Sequence, residues 1–553
     1  MSQLQANSPA DAEWDAIVIG TGMGGATLGH ALARQGQRVL FCERGISRQS
    51  GVAEGDYAER LNTPLTQPVN AMAAQALLRA GRWPTQLIDK SAKSARPFIP
   101  FIGTGVGGSS ALYGMAMERF SAADFQPQQN SGLGGSGRQA WPITYAELQP
   151  YYGQAEHLYR VRGSADPLRP DTPSLMAPPA LSRTGTALSQ WLAARGMHPY
   201  QLPSACEYVP GCLTCQGFLC PKGCKNDSWQ IAVEPALAQY GASLIDDCEV
   251  VRLQSSKQAV STIECRWHDQ PLQLRAKTVI LAAGAINTPL LLLRSANADW
   301  PKGLANASGM VGRHLMRHLI DLYVLKADGG QRDDNRRKEI AFNDFYQHGA
   351  DKLGTVQSFG RLPPPEMIID ALHDDISFAG FGWALPLVKL GSPVLRLFLA
   401  RMVDRGVSLA TIVEDYPNHE NRVEWSVGDG QTPTIHYQID SDAQRRMALM
   451  RRLMKDCLRP ASYQLIADAT NNQRIAHACG TCRMGDDPGS SVVDKYCRAH
   501  GLDNLYIVDG SCFVSSGGTN PSLTIAANAL RVAAHLAGEL PLAIAGELPA
   551  RLN

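Results

Sequence analysis

The sequence predicts an α/β fold (α+β overall), and three stretches predict it. Residues 15–45, DAIVIGTGMGGATLGHALARQGQRVLFCERG, read as strand, turn, helix and strand. Asp15 to Ile19 is a short apolar run, Leu28, Ala31 and Leu32 recur at helical spacing, and Arg38 to Cys42 is a second apolar run. Residues 277–293, KTVILAAGAINTPLLLL, repeat the order with a buried strand, an Ala-Ala-Gly turn and an apolar helix start. From 326 to 465 the pattern lapses into separate strand signals at 407–413, 422–426 and 434–439. Strand–helix alternation in the first two stretches predicts a parallel sheet, and the separate strands of the third predict a mixed sheet.

The turn after the first strand is Gly20-Thr21-Gly22-Met23-Gly24-Gly25, a G-x-G-x-x-G loop of the Rossmann type. Gly20 permits the tight turn, Gly22 lets the backbone approach a pyrophosphate, and Gly25 lets the helix pack on the strand. Free N–H groups and the positive dipole end of that helix suit phosphate. Glu43, closing the second strand, lies where an acid accepts hydrogen bonds from an adenosine ribose, and it argues against a 2′-phosphate. The expected dinucleotide-binding set is Gly20, Gly22, Met23, Gly24, Gly25, Glu43 and Arg44. These residues leave FAD and NAD both open.

A chain of 553 residues is too long for one simple core, so two domains are expected. Hydrophobic content of 44% and charged content of 19% describe an ordinary globular protein. A net charge of +1 gives no basic face for nucleic acid. The first residues, MSQLQANSPADAEW, carry no apolar signal core, and no stretch has the length and purity of a membrane span. A cytoplasmic location without a signal peptide of its own is therefore expected, and membrane association is left open. Residues 46–95 read as loop-like with a helical patch at 71–78.

Residues 101–115 hold a second glycine-rich loop, Gly103, Gly105, Gly107 and Gly108 followed by Ser109 and Ser110, which implies backbone pressed against something flat or charged. Thirteen cysteines are unevenly spread: Cys206, Cys212, Cys215, Cys220 and Cys224 crowd together. The last four follow C-x2-C-x4-C-x3-C with Pro221 and two glycines for sharp turns. Such thiolates can ligate an iron–sulfur cluster or zinc, and a turn-rich loop of free or oxidised thiols is the bland alternative.

In these motifs the chain resembles the glucose–methanol–choline (GMC) oxidoreductases, FAD-dependent enzymes that oxidise alcohols. Gly107, Gly108, Ser109, Gly114 and Met115 match the family's G-G-S-S-x-x-x-G-like loop, which packs along the flavin. Some members attach FAD through a histidine near this loop; none stands between Gly103 and Phe120, so the resemblance implies non-covalent FAD. The cysteine stretch resembles that of two branches, long-chain alcohol oxidases and cytochrome-linked dehydrogenases, and in the latter some such cysteines hold an iron–sulfur cluster. Val250, Ala283 and Gly284 match positions near the adenosine. Gly309 to Leu315 resembles a G-x-V-G-R-x-L stretch; His314 and His318, at i, i+4 spacing without an H-E-x-x-H glutamate, read as structural.

The C-terminal segment carries the expected chemistry. His477 to Met484 matches the family's H-x-x-G-T-x-x-M pattern, Asp509 and Gly510 match a loop near the ribityl or phosphate portion, and Asn520, Pro521 and Ser522 open the last helix. In the family the residues matching His477 and Asn520 face the flavin at the substrate hydroxyl. A neutral imidazole is the natural base, an amide can orient a developing alkoxide without titrating, and the helix dipole suits negative charge on reduced flavin. Glu414 reads as a solvated strand-end carboxylate in preference to a second polar group in the pocket. The apolar residues of 376–403 read as domain core in preference to an apolar lip that touches lipid, and Pro386, Pro393, Lys389 and Arg396 argue against a span.

The expected domains are a discontinuous FAD-binding unit, 1–165, 206–325 and 466–553, and a substrate-binding unit, 166–205 and 326–465. The expected function is oxidation of the CH–OH group of a sugar, sterol or long-chain alcohol to a carbonyl; the alternative is a lyase or decarboxylase on the same fold. The electron acceptor is left open between a cytochrome, a quinone and O2, as is peripheral contact with a membrane.

Overall fold

The computed structural model describes residues 9–10, 12–47, 71–91, 95–129, 138–212, 214–326, 338–360, 362, 364–378, 380–425, 432–466, 468–470, 475 and 477–538. The Trp14–Ile19 strand is apolar at nearly every position because both its faces are covered. It lies at the centre of a five-stranded sheet ordered Leu505–Ile507, Ala276–Leu281, Trp14–Ile19, Val39–Cys42 and Ser243–Ile245, parallel throughout. Helices Met23–Arg34, Gly284–Arg294 and Ser522–Ala537 follow the three strands at its centre and one edge. The turns at 20–22, 282–283 and 508–512 therefore share the C-terminal edge of one sheet, where open parallel sheets bind ligands.

Close packing at this edge explains the glycines. A Cβ on Gly25 would lie 2.2 Å from the Gly20 carbonyl oxygen and 2.9 Å from Val18, and one on Gly24 would lie 2.0 Å from the Val508 carbonyl oxygen.

The second sheet is six-stranded and antiparallel: Tyr463–Ile466, Leu319–Lys326, Gly406–Val413, Gly354–Ser358, Ile340–Phe342 and Tyr200–Gln201. Side chains alternate between its faces. Leu319, Tyr323, Leu325, Leu409 and Val413 pack beneath helix Ser441–Leu458, against Met447, Met450 and Met454. Ile320, Leu322, Ala410 and Ile412 point the other way, into a cavity between the two sheets. The strand Leu319–Lys326 thus belongs to this sheet, although the expected boundary at 325 assigned it to the first unit: its apolar period is that of a strand and carries no mark of which sheet it joins.

The strand signals at 407–413, 422–426 and 434–439 appear as Gly406–Val413, Arg422–Trp425 and Pro433–His436; Ser426 lies outside the described residues. The patch at 71–78 is helix Ala71–Arg79, and Leu87–Asp89 and Arg96–Phe98 join Pro433–His436 in a small sheet that the sequence does not signal. Residues 314–318 form no helix, and His314 itself has φ +62°, so the helical i, i+4 relation of His314 and His318 does not exist in space.

The apolar stretch expected as core is not core. Helices Pro365–Phe378 and Leu385–Arg405 form a hairpin over the open face of the six-stranded sheet. Trp383 is 74% exposed, Leu390 81% and Val394 76%. Composition shows that a helix is apolar, not whether anything covers it.

Candidate active site

A cavity of about 1860 Å³ runs from the parallel sheet's C-terminal edge to the six-stranded sheet. It exceeds the roughly 300–1,000 Å³ of an ordinary small-molecule pocket and has room for a dinucleotide and a second ligand.

One end fits a dinucleotide. Gly20, Gly22, Met23 and Gly24 line it, Gly20 with φ +100°. The Cβ directions of Gly22 and Gly284 meet nothing within 4 Å, and helix Met23–Arg34 has no side-chain cap, so its first N–H groups are open to a phosphate. Arg44, Val250, Ala283, Asp509 and Gly510 line the same end. Asp509 ties its loops together: Gly284 N and Thr288 Oγ1 donate to Oδ2 at 2.8 and 2.6 Å, and Ser511 N to Oδ1 at 2.8 Å.

Glu43 also lines the cavity, but with its oxygens engaged. Thr21 N and Oγ1 donate to Oε2 at 3.1 and 2.7 Å, while Gly45 N and Gly105 N donate to Oε1 at 2.9 and 3.0 Å. A ribose hydroxyl reaching Glu43 must share with these donors. Three expected cofactor residues stand behind the wall. Gly25 serves helix packing, Gly107 donates its N–H to Thr21 Oγ1 at 3.2 Å, and Met115 packs among the cysteines. Gly108, Ser109 and Gly114 do line the cavity, beside Gln216 and Lys338. The buried Gln216 Oε1 has no hydrogen-bond partner among the described residues, and burial pushes Lys338 down to about 8. Sequence reasoning named neither residue, because nothing local distinguishes them.

The other end brings His477 and Asn520 to the cavity wall. His477 lines the cavity from the loop after residue 476, in a left-handed backbone conformation with φ +59°. Its Nδ1 lies 2.9 Å from Nδ1 of His318, and Nε2 of His318 lies 2.9 Å from the Gly517 carbonyl oxygen. A carbonyl only accepts, so His318 Nε2 carries a hydrogen. Burial holds His318 down at about 4, so the neutral ring has a bare Nδ1 that accepts from His477 Nδ1–H. Burial, then His318 and Lys338, keep His477 well below the usual imidazole range. Its Nε2 is therefore unprotonated at neutral pH, the form of a base.

Asn520 is fixed by the same logic. Gln357 Nε2 lies 2.7 Å from Glu118 Oε2 and 2.7 Å from Asn520 Oδ1. The Glu118 carboxylate accepts, so the Gln357 atom between them is nitrogen and the Asn520 atom facing it is oxygen. The Asn520 amide N–H group is left for the cavity, which Asn520, Pro521 and Ser522 line at the start of helix Ser522–Ala537. Thr519 Oγ1 at 2.8 Å and the Tyr200 hydroxyl also donate to Glu118. Sequence reasoning missed His318, Gln357 and Glu118 as site residues; it read His318 as structural because no H-E-x-x-H glutamate accompanies it.

Behind the Gly108–Met115 loop lies a buried nest of Cys206, Cys212, Cys215, Cys220 and Cys224 with Met115 and Phe218. Sulfur separations are 3.2 Å for Cys212–Cys224, 3.5 Å for Cys220–Cys224 and 3.7 Å for Cys206–Cys212. Hydrogen bonding between Cys206 and Cys212 pushes Cys212 down to about 3 and Cys206 up to about 12. Cys206, outside the four-cysteine spacing, joins Cys212 and Cys224 within 4.8 Å. This soft donor set fits zinc or an iron–sulfur cluster.

Glu414 corrects the reading of a solvated carboxylate. It is fully buried and paired with Lys352 Nζ at 2.5 Å, and Lys352 also pairs with the buried Asp124. Asp124 accepts Gly518 N at 3.1 Å, which holds the loop that presents Gly517 to His318.

A dinucleotide cradle on a Rossmann-like sheet, joined to a histidine–asparagine end, suits a dinucleotide-dependent oxidoreductase. GMC oxidoreductase family models match residues 14–320 and 417–529, and the chain belongs to the GMC oxidoreductase family, whose members are FAD-dependent oxidoreductases. It is 32% identical to paromamine 6'-oxidase of Streptomyces fradiae over 96% of this chain and 92% of the relative. It is 25% identical to the fructose dehydrogenase large subunit of Gluconobacter japonicus, over 95% and 98%. The solved structure of pyridoxine 4-oxidase from Mesorbium loti superposes with a TM-score of 0.61 at 20% identity, covering 95% of this chain and 100% of that one, and shows the shared fold.

Proposed function

We propose that the protein oxidises the CH–OH group of an alcohol to a carbonyl, with His477 taking the hydroxyl proton on Nε2 and the Asn520 amide holding the substrate oxygen. Non-covalently bound FAD supplies the hydride acceptor. The observation that carries this reading is the chain from Gly517 through His318 to His477, which sets the base's tautomer before substrate arrives. Gln357 sets the Asn520 donor in the same way, so the pair needs no reorganisation during reaction. The names of the relatives agree with CH–OH chemistry: they include oxidases and dehydrogenases of paromamine, fructose and 2-methyl-1,2-propanediol.

Among sugars, sterols and long-chain alcohols, the wall favours an apolar alcohol. The six-stranded sheet lines the cavity with Ile320, Leu322, Ala410, Ile412, Leu465 and Ile466, and with Gln464 as the polar exception among its described residues. This face of the cavity offers little to the polar groups of a polyhydroxylated or polycationic substrate, while Glu366, Asp370, His373 and Lys389 line the hairpin side. The test is anaerobic mixing of the FAD-loaded protein with alcohols graded by chain length, together with sugars. Loss of the flavin absorbance with the longer alcohols supports the reading; no loss with any alcohol returns it to a lyase or decarboxylase.

For the acceptor we propose that the cysteine nest holds an iron–sulfur cluster, which would pass electrons on to a cytochrome or quinone. Cys206, Cys212, Cys215, Cys220 and Cys224 supply the soft donors, and the nest packs directly behind the loop that lines the cavity. Stoichiometric iron and acid-labile sulfide in anaerobically purified protein support this, whereas iron-free protein that consumes O2 with an alcohol makes it an oxidase.

A further inference from the structure

Two side chains from separate parts of the chain meet at Gly114. A Cβ there would lie 2.7 Å from Gln216 Oε1 and 3.2 Å from Lys338 Nζ, so the glycine lets an amide oxygen and an ammonium group stand side by side on the cavity wall. The buried Gln216 Oε1 accepts no hydrogen bond among the described residues. Lys338 forms no salt bridge among the described residues either. It feels the charge of Glu118, but that carboxylate is occupied by Tyr200, Gln357 and Thr519. Desolvation holds the ammonium group down at about 8. A lone acceptor and a lone cation are costly to keep in such a place without a partner.

Position and chemistry together select that partner. The loop that bears Gly114 starts at Gly108, where a Cβ would lie 3.0 Å from Gly22 Cα in the dinucleotide cradle. On the other side, the charge of Lys338 reaches His477. A dinucleotide laid from Gly22 toward His477 therefore passes Gly114 and brings its flavin ring to the pair. The oxidised ring has a single N–H, at N3, set between the C2 and C4 carbonyl oxygens. Lysine only donates and an amide oxygen only accepts, so the pair matches this edge group for group. An alcohol with one hydroxyl offers no such edge, since His477 and Asn520 already meet that group. A hydride carries two electrons and one proton, so reduction leaves the ring one charge more negative. A desolvated cation beside it favours the reduced form.

We propose that Gln216 and Lys338 hold the polar edge of the flavin ring, with Gln216 Oε1 accepting the N3 hydrogen and Lys338 Nζ donating to a neighbouring ring carbonyl, and that Lys338 sets how readily the ring takes up hydride. This rests on FAD occupying the cavity, as in the alcohol-oxidation reading, but not on any substrate.

The experiment is anaerobic measurement of the two-electron midpoint potential of the FAD-loaded full chain against a reference dye, with no substrate present, together with titration of FAD into the apoprotein. Lys338→Met should make reduction less favourable by about tenfold or more, a fall of about 30 mV or more, and Lys338→Arg should stay nearer the parent. Gln216→Leu should weaken FAD binding by about tenfold or more. Gln216→Glu, which still accepts a hydrogen, should bind FAD more tightly than the leucine variant. A parental potential in Lys338→Met, a parental FAD affinity in Gln216→Leu, or variants that change only the KM of an alcohol would each overturn the proposal. A protein that shows these shifts yet oxidises no alcohol would uphold the pair and overturn the catalytic reading instead.

Discussion

His318 and His477 face each other Nδ1 to Nδ1 at 2.9 Å, and one of the two must give the hydrogen. The Gly517 carbonyl on the far side of His318 decides which. His318→Phe removes the acceptor and leaves the His477 tautomer unset. We expect the rate of flavin reduction to fall by about 100-fold or more, since positioned proton transfer contributes roughly 10²–10⁴-fold, while FAD stays bound. His318→Gln, which can both donate and accept, should recover part of the loss; equal loss in both variants would reduce His318 to a space-filling role.

Gln357 should matter to substrate orientation more than to binding. Gln357→Leu strips Asn520 Oδ1 of its partner and lets the amide rotate. We expect a lower kcat with a smaller change in KM, and a loss of stability of about 1–3 kcal/mol from unpaired buried acceptors. Steady-state kinetics and denaturant unfolding measure the two effects.

Lys352→Met leaves Asp124 and Glu414 buried without their shared cation. Removing one partner of a buried ion pair costs roughly 3–5 kcal/mol, so the variant should melt well below the parent. Lys352→Met with Glu414→Gln should recover part of that loss, because one of the two stranded charges is gone.

Acid should destabilise the protein early. Burial pushes His30 down to about 4, His314 to about 3 and His318 to about 4, from 6.5. In this window the unfolded chain binds protons that the folded chain refuses, so the stability of neutral rings is complete above pH 6.5 and declines as pH falls toward 4. Each tenfold weakening of proton affinity on folding is worth about 1.4 kcal/mol, so the three rings together contribute several kcal/mol. Asp415, raised to about 6 by burial, acts in the opposite sense between 6 and 3.8 and offsets part of the decline. Denaturant midpoints between pH 7 and pH 4 test the sign.

The nucleotide end was legible because its residues act through local geometry. Gly20, Gly24 and Gly25 stand where a Cβ would strike backbone, and such demands are written at fixed spacing in one stretch. His477 and Asn520 were legible through motifs of resemblance. Their partners were not: Glu118, His318, Gln357 and Gly517 come from four separate segments, and only the fold brings them together. Glu414 read as solvated because a strand end is a surface position more often than not, and its cation, Lys352, is 62 residues away. The hairpin of 365–405 failed for a different reason, since burial and exposure leave the same apolar composition.

The most direct test is the rate of anaerobic flavin reduction by an alcohol substrate in His477→Ala compared with the parent. The structure predicts a fall of about 10²–10⁴-fold, with FAD content unchanged and the parent's rate flat from neutral pH to well below 6.5, since His477 stays unprotonated there. Reduction at the parental rate in His477→Ala would contradict the assignment of His477 as the base.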